Sequence, residues 1–357
     1  MNSNKFIKNF SLNDLEKFFL SNKIEKYRAL QVFTGIYVDR AETFNEISTL
    51  PADVKELLSG NFEISSLKLK KIRKSIDGSV KYLFELSDGK SIEAVYMPWY
   101  DESDGEIERV TLCISSMAGC PVECAFCATG TLGFIRNLET AEIIDQILFV
   151  EKDLSTKITN IVFMGMGEPL LNYNNVIKTI DVLVNPKYQL MSRKRITLST
   201  VGITAKIKHL ADSENPVKLA ISLHATTNGF REKIIPMAKG VQLNDLMDAV
   251  EIYYRKTKMP VTYEYIPFEG MNDTDEDAKR LAKILKRVPS RVNIIPYNDI
   301  SFAGITGFAS QLKPTSKGRI LEFGAMVRNY GGAVTIRDTF GTDIEAACGQ
   351  LALSENQ

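Results

Sequence analysis

The sequence predicts an α/β protein whose parallel strands are joined by helical crossovers, either as a doubly wound sheet or as a full or partial barrel. Three observations carry that prediction. Through the second half of the 357-residue chain, helix-period stretches such as "TAEIIDQILFVEK" alternate with short apolar strands. Those strands end in polar groups at the same structural stage, in Gly165-Met166-Gly167-Glu168, Ser199-Thr200, Ser222-Leu223-His224 and Tyr297-Asn298. Convergence of polar strand ends favours a barrel with its chemistry at one mouth. The chain before this alternation is helical first and strand-rich afterwards, so smaller units precede the barrel.

Each element follows from local pattern. Leu12, Leu15, Phe18 and Phe19, then Tyr27, Leu30, Phe33 and Tyr37, recur at helical spacing, and Pro51 suits the first turn of a third helix that Gly60 closes. Residues 1–65 are therefore expected as a helical N-terminal domain. In residues 66–115 the strands "SLKLKKIRK", "SVKYLFEL", "SIEAVYMPWY" and "VTLCISS" are punctuated by turns at Asp77-Gly78 and Asp88-Gly89, which gives a β-rich connector. Residues 116–352 carry the alternation, with strands in "ITNIVFMGMGEP", "RKRITLSTVG", "VKLAISLHA", "VTYEYIPFEG", "RVNIIPYN" and "AVTIRDTFG". The stretches "SENPVK" and "PYNDISFAGITGFASQLKP" are expected as loops.

Composition narrows the class. There is no run of eighteen apolar residues and no secretory leader, so a soluble cytoplasmic protein without a membrane partner is expected. Lys plus Arg and Asp plus Glu balance at 44 each, so net charge gives no reason to expect a polyanionic partner. Basic clusters at 68–74, 192–195 and 254–258 could meet phosphates, although their plain reading is a solvated surface.

Five cysteines, an odd number, argue against a structural disulfide framework and for metal or redox chemistry. Cys120, Cys124 and Cys127 cluster in "GCPVECAFCATG", where Gly119, Pro121 and Gly130 favour a turn. Three thiolates are one short of a closed zinc site or a ferredoxin cluster. A 4Fe-4S cluster held by these three keeps one iron open for a ligand. A four-thiolate zinc site completed by Cys113 or Cys348 stays open as the alternative.

The CxxxCxxC spacing with Phe126 before the last cysteine resembles the radical S-adenosylmethionine enzymes. "CISSMAGCPVECAFCATGTLGFIRNL", "FMGMGEPLLNY", "ITLSTVGI", "ISLHATT" and "GTDIEAACGQL" resemble, in order and separation, the motifs of the RlmN/Cfr family of RNA adenosine methyltransferases. The resemblance runs from about residue 85 to 352. It implies a partial (β/α)6 barrel, a 4Fe-4S cluster and S-adenosylmethionine as cofactors, and an N-terminal domain that engages RNA.

The same resemblance implies the roles of particular residues. Cys120, Cys124 and Cys127 hold the cluster; Glu168, after Gly167, receives the amino group of S-adenosylmethionine; Ser199, Ser222, Leu223, His224 and Asn298 complete the cofactor site. Cys348 is the nucleophile that carries the methyl group as S-methylcysteine, which a deoxyadenosyl radical then activates for addition to an unreactive adenine carbon. Cys113 is the thiol that resolves the RNA-linked intermediate, so the two cysteines are expected as neighbours. Glu93 is the proton acceptor.

The implied product is an adenosine of 23S rRNA methylated at C2, with tRNA as a further substrate, an electron-donating reductase as partner and a monomeric state. "RDTFGTDIEAACGQL" departs from the arginine-rich segment expected before the last cysteine of many RlmN-like chains, which leaves C8 methylation of the Cfr type as an alternative. A non-catalytic, zinc-stabilised RNA-binding protein is the alternative from another class.

Overall fold

A computed structural model describes residues 6–101 and 103–353. The chain begins with α1 (Leu12–Ser21), α2 (Arg28–Tyr37) and α3 (Ala52–Asn61), whose apolar faces meet in a core of their own. Ser11 starts α1 with a capping box: its hydroxyl accepts from the Asp14 amide while the Asp14 carboxylate accepts from the Ser11 amide. Pro51 stands at the N-cap of α3. The expected stop at Gly60 does not hold, because Gly60 keeps to negative φ; the helix runs on to Asn61 and ends where Phe62 turns extended, its amide donating to the Leu58 carbonyl.

An antiparallel meander follows, made of β1 (Leu67–Lys74), β2 (Val80–Leu86), β3 (Ser91–Tyr100) and β4 (Ile107–Cys113). Its first two turns fall at the Asp-Gly dipeptides, with the glycine at positive φ in both. The meander is not a separate layer, since β4 pairs antiparallel with β3 on one edge and parallel with a barrel strand on the other.

Beyond β4, β5 (Met117–Gly119) and β6 (Phe134–Asn137) form a small hairpin that frames the cysteine loop and the short α4 (Ala128–Thr131). The alternation then runs α5 (Thr140–Asp153), β7 (Asn160–Phe163), α6 (Tyr173–Val184), β8 (Ile196–Thr200), α7 (Thr204–Ala211), β9 (Lys218–Ser222), α8 (Asn228–Ile234), α9 (Leu243–Thr257), β10 (Val261–Tyr265), α10 (Asp275–Leu285), β11 (Ser290–Ile294), α11 (Lys317–Asn329) and β12 (Val334–Ile336). Among the described residues β1–β4 and β7–β12 form one sheet, in which β4 and β7 to β11 are the parallel strands of a (β/α)6 barrel and β12 extends them. The barrel is partial: β12 pairs with β11 and does not close onto β4.

The helical unit docks on the barrel through α5. Ile144 of α5 and Tyr188 are part of the helical core, the Ser66 amide donates to Asp145 at 2.7 Å, and Lys8 forms a buried ion pair with the same carboxylate. Among the described residues no helix is long and apolar enough to cross a membrane.

Candidate active site

The loop after β5 depends on a close backbone approach. Gly119 has φ +70°, and a Cβ there would stand 2.0 Å from the Gly133 carbonyl oxygen, so glycine is needed to bring the two ends of the cysteine loop together. Within it the Cys127 amide donates to the Cys124 carbonyl and the Gly130 amide to the Cys127 carbonyl, winding the chain so that all three thiols face one cavity.

That cavity, open on one side, lies at the C-terminal ends of the parallel strands. Of the residues expected from sequence, the three cysteines, Gly167, Glu168, Ser199, Ser222, His224 and Cys348 line it. Gly167 has φ +103° and packs against Met117, whose Cβ would lie 2.6 Å from any added Cβ.

Glu168 is buried. One carboxylate oxygen accepts from the Leu170 amide at 3.0 Å and the other from the Val201 amide at 2.8 Å. Burial outweighs these bonds and pushes its carboxyl up to about 7, so a cationic ligand beside it would restore the carboxylate. The Ser199 and Ser222 hydroxyls lie 3.3 Å apart across β8 and β9. His224 sits in the left-handed region at φ +52°, its Nδ1 accepting from the Ile266 amide at 3.2 Å and its ring edge-on to Phe126. Burial, with Arg231 nearby, lowers it to about 3, so the imidazole is neutral with its proton on Nε2.

Four other expected residues lie outside the cavity lining. Leu223 is fully buried, and its amide donates to the Glu264 carbonyl. Asn298 holds the loop of Cys348 instead, donating from Nδ2 to the Cys348 carbonyl at 3.1 Å. Cys113, at the end of β4, is buried; burial pushes its thiol up to about 12, with Cys348 close enough to raise it further. Both thiols are free. Glu93 is buried on β3 and ion-paired with Lys81 at 3.2 Å.

Cys348 itself is exposed, yet protein packed around it pushes its thiol up to about 12. Water reaches it because the cavity is open; a ligand filling the cavity would complete its desolvation.

Sequence reasoning missed several residues. Glu264 lines the cavity from β10, where burial pushes it up to about 7 while Asn293 donates to it at 3.0 Å. An acid inside the apolar alternation "VTYEYIPF" was the available signal. Arg231 on α8 is 1% exposed, has no ion pair among the described residues, and leaves its Nε without a partner. Its charge lies close enough to Cys124 to favour that thiolate. A buried cation without a carboxylate calls for negative charge, and a cluster of thiolates supplies it.

These residues fit a 4Fe-4S cluster. Burial pushes all three thiols up, so they reach the thiolate form by binding metal. Among the described residues no three His, Cys, Asp or Glu side chains converge on a single metal ion. Zinc requires that convergence, whereas a cubane gives each thiolate its own iron.

At the opposite ends of the strands lies a group of cations. Arg109 and Cys113 share one face of β4; Arg195 precedes Thr197 and Ser199 on one face of β8; Lys218 and Ser222 share a face of β9, as Arg291 and Asn293 do on β11. Each cation is four residues below a site residue, or two below in the case of Asn293, on the cavity face. Four residues of strand span about 13 Å. The cations repel one another: Arg195, Arg291 and Arg109 all lower Lys218, after burial, and Arg337 and Arg195 lower Arg109. None of these four makes an ion pair among the described residues, nor does Arg337, which follows the C-terminal end of β12. Arg109 and Arg337 lie over Trp99, at 4.3 and 5.8 Å from its ring centre. Arg337 also acts on Glu264 and Cys348, so the basic group is continuous with the cavity.

A partial (β/α)6 barrel with a CxxxCxxC loop over its strand ends defines the radical S-adenosylmethionine class, and the Radical SAM superfamily pattern matches residues 114–282. That superfamily uses a 4Fe-4S cluster and S-adenosylmethionine. The crystal structure of a radical SAM methyltransferase from Sphaerobacter thermophilus superposes with a TM-score of 0.89 at 33% identity, covering 97% of this chain and 99% of that one. Proteins named "Probable dual-specificity RNA methyltransferase RlmN" are 45% identical in Thermotoga sp. (strain RQ2), over 92% of each chain, and 40% identical in Flavobacterium johnsoniae, over 98% of each. The chain belongs to the RlmN family of radical SAM RNA methyltransferases.

Proposed function

We propose that the protein methylates C2 of an adenosine in 23S rRNA, and of a tRNA adenosine as a second substrate, through an S-methylcysteine at Cys348. The observation that carries this reading is the meeting of three cluster-type thiols, Glu168 and Cys348 around one cavity, with Cys113 at the end of β4 near enough for Cys348 to act on its thiol. The RlmN name of the relatives, with its dual specificity, favours C2 over the Cfr-type alternative.

Cys120, Cys124 and Cys127 would hold the cluster, which when bound would supply the electron for reductive cleavage of S-adenosylmethionine. Glu168 receives the cofactor's ammonium group, which keeps the carboxylate ionised despite its burial. Ser199 and Ser222 offer hydroxyls, and His224, neutral and locked by Ile266, offers its Nε2 proton. Cys348 gives up its thiol proton and takes the methyl group. The Cys113 thiolate then attacks the Cys348 sulfur, forming a Cys113–Cys348 disulfide as the S–C bond to the RNA-linked methylene breaks; the methylene takes up a proton to become the methyl group, and Glu93 accepts the ring proton.

The basic residues at the other end of the barrel support RNA as substrate. Unpaired cations attract phosphates, and Trp99 beside Arg109 and Arg337 offers a base a stacking surface. A base entering there reaches Cys113 and Cys348 from within the barrel. Residues 1–65 are the further RNA-engaging unit, the protein acts as a monomer, and a reductase docks at the cysteine end.

Mass spectrometry of rRNA and tRNA from cells with and without the protein tests the reading. The expected result is 2-methyladenosine that depends on the protein and is lost with Cys348→Ala. Methylation at C8, or none in RNA, would overturn it.

A further inference from the structure

Lys81 and Glu93 form an ion pair in which both side chains are almost completely buried, at 3% and 2% exposure, outside the cavity lining. Such a pair is costly to bury and rarely earns its place by stability alone. Its remaining hydrogen bonds are informative. Lys81 Nζ donates to the Glu345 carbonyl at 3.0 Å, and Glu93 Oε2 accepts from the Leu353 amide at 3.2 Å. Glu345 and Leu353 flank Cys348, so one ion pair grips the Cys348 loop on both sides.

Strand register gives that grip a direction. Lys81 pairs with Val95 across β2 and β3, and Val95 pairs with Cys113 across β3 and β4. Lys81, Val95 and Cys113 therefore form one row across the sheet, in which side chains share a face. Glu93 is two residues from Val95 on that face. The loop that carries Cys348 is fastened to the row that carries Cys113. Its middle hangs from other elements: Gly349 and Leu351 accept from the Ala128 amide and the Thr129 hydroxyl, and Asn298 donates to the Cys348 carbonyl.

We propose that the Lys81–Glu93 pair is a clamp that sets the approach of Cys348 to Cys113, with Lys81 as the positioning residue. The proposal rests on the reading of these two cysteines as a working thiol pair. Lys81 touches no reacting atom. It acts through the Glu345 carbonyl on one side of the loop and, by holding Glu93, through Leu353 on the other.

The test uses the anaerobically loaded holoenzyme without RNA. Diamide takes two electrons and two protons from a neighbouring thiol pair, and the Cys113–Cys348 disulfide is quantified as a linked peptide. Amide exchange over 345–353 is followed in parallel. Lys81→Met is the direct variant. Lys81→Met with Glu93→Leu removes both charges and so avoids stranding one of them in the interior.

Both variants are expected to slow disulfide formation by about tenfold and to speed exchange at 345–353 by a similar factor, as loss of charge-assisted bonds implies. Exchange in β7 to β11 should stay at the wild-type rate. Wild-type disulfide and exchange rates in the double variant would overturn the clamp. So would faster exchange spread over the whole sheet, which marks a merely structural pair. Neither readout needs RNA, so failure of RNA methylation would sink the proposed function and leave this result intact.

Discussion

Replacing Arg195, Lys218 and Arg291 together by serine tests whether RNA enters at the N-terminal ends of the strands. All three are exposed and none forms an ion pair among the described residues, so the fold should change in stability by no more than about 0.5 kcal/mol per site. Each phosphate contact to single-stranded RNA contributes about 0.7 to the slope of log affinity against log salt, so three lost contacts lower the slope by about 2. Between about 50 and 200 mM salt, a fourfold range, the wild type should therefore lose about 16-fold more affinity than the variant. Fluorescence anisotropy with a labelled RNA hairpin carrying an unpaired adenosine measures both slopes. Arg195 and Lys218 lie about 13 Å, and Arg291 about 7 Å, along their strands from the site residues, so methyl transfer from S-adenosylmethionine to Cys348 without RNA should be unchanged. Equal slopes would refute entry at this end. A defect confined to turnover with a protein reductant, and absent with dithionite, would instead assign these cations to an acidic electron donor and refute it equally.

Two further substitutions probe the site. Gly119→Ala puts a Cβ 2.0 Å from the Gly133 oxygen in a left-handed conformation, a cost of about 2–5 kcal/mol; denaturant unfolding should show it, iron should fall well below about four per chain, and full iron loading at wild-type stability would contradict the loop's geometry. Glu264 is raised from 4.5 to about 7, so it is protonated in both folded and unfolded chains below pH 4.5 and penalises folding increasingly as pH rises through that window. Glu264→Gln keeps an acceptor for Asn293 and should match the wild type near pH 4.5, yet be more stable by up to about 3 kcal/mol above pH 7; urea titrations across that range check it, and a constant difference would show that Glu264 does not titrate there.

The elements legible in the sequence are those whose cause is local. The cysteine loop could be read because CxxxCxxC spacing and Gly119 act within one turn of chain. The strand ends at Ser199 and Ser222 could be read because apolar runs end there in polar residues. The end of α3 was misread for the same reason in reverse: glycine permits a helix to stop but does not compel it, and Gly60 kept helical φ.

What stayed hidden depends on chain that arrives later. Lys81 in "SVKYLFEL" alternates as a solvent-facing lysine should, and Glu93 reads as an ordinary strand glutamate. Alternation identifies the two faces of a strand without saying which will be covered. Here residues 345–353 cover the polar face and turn two surface-type side chains into a buried pair. The basic group was hidden differently. Arg195 lies in the visible cluster "SRKR", but Arg109, Lys218 and Arg291 are isolated in sequence and become neighbours only through the parallel register of β4, β8, β9 and β11. A charge count of zero concealed them, because balance over the whole chain says nothing about its distribution over one face. Parallel register stacks strand starts at one end of the barrel and strand ends at the other, so this fold separates a basic mouth from a thiol-lined one by topology alone.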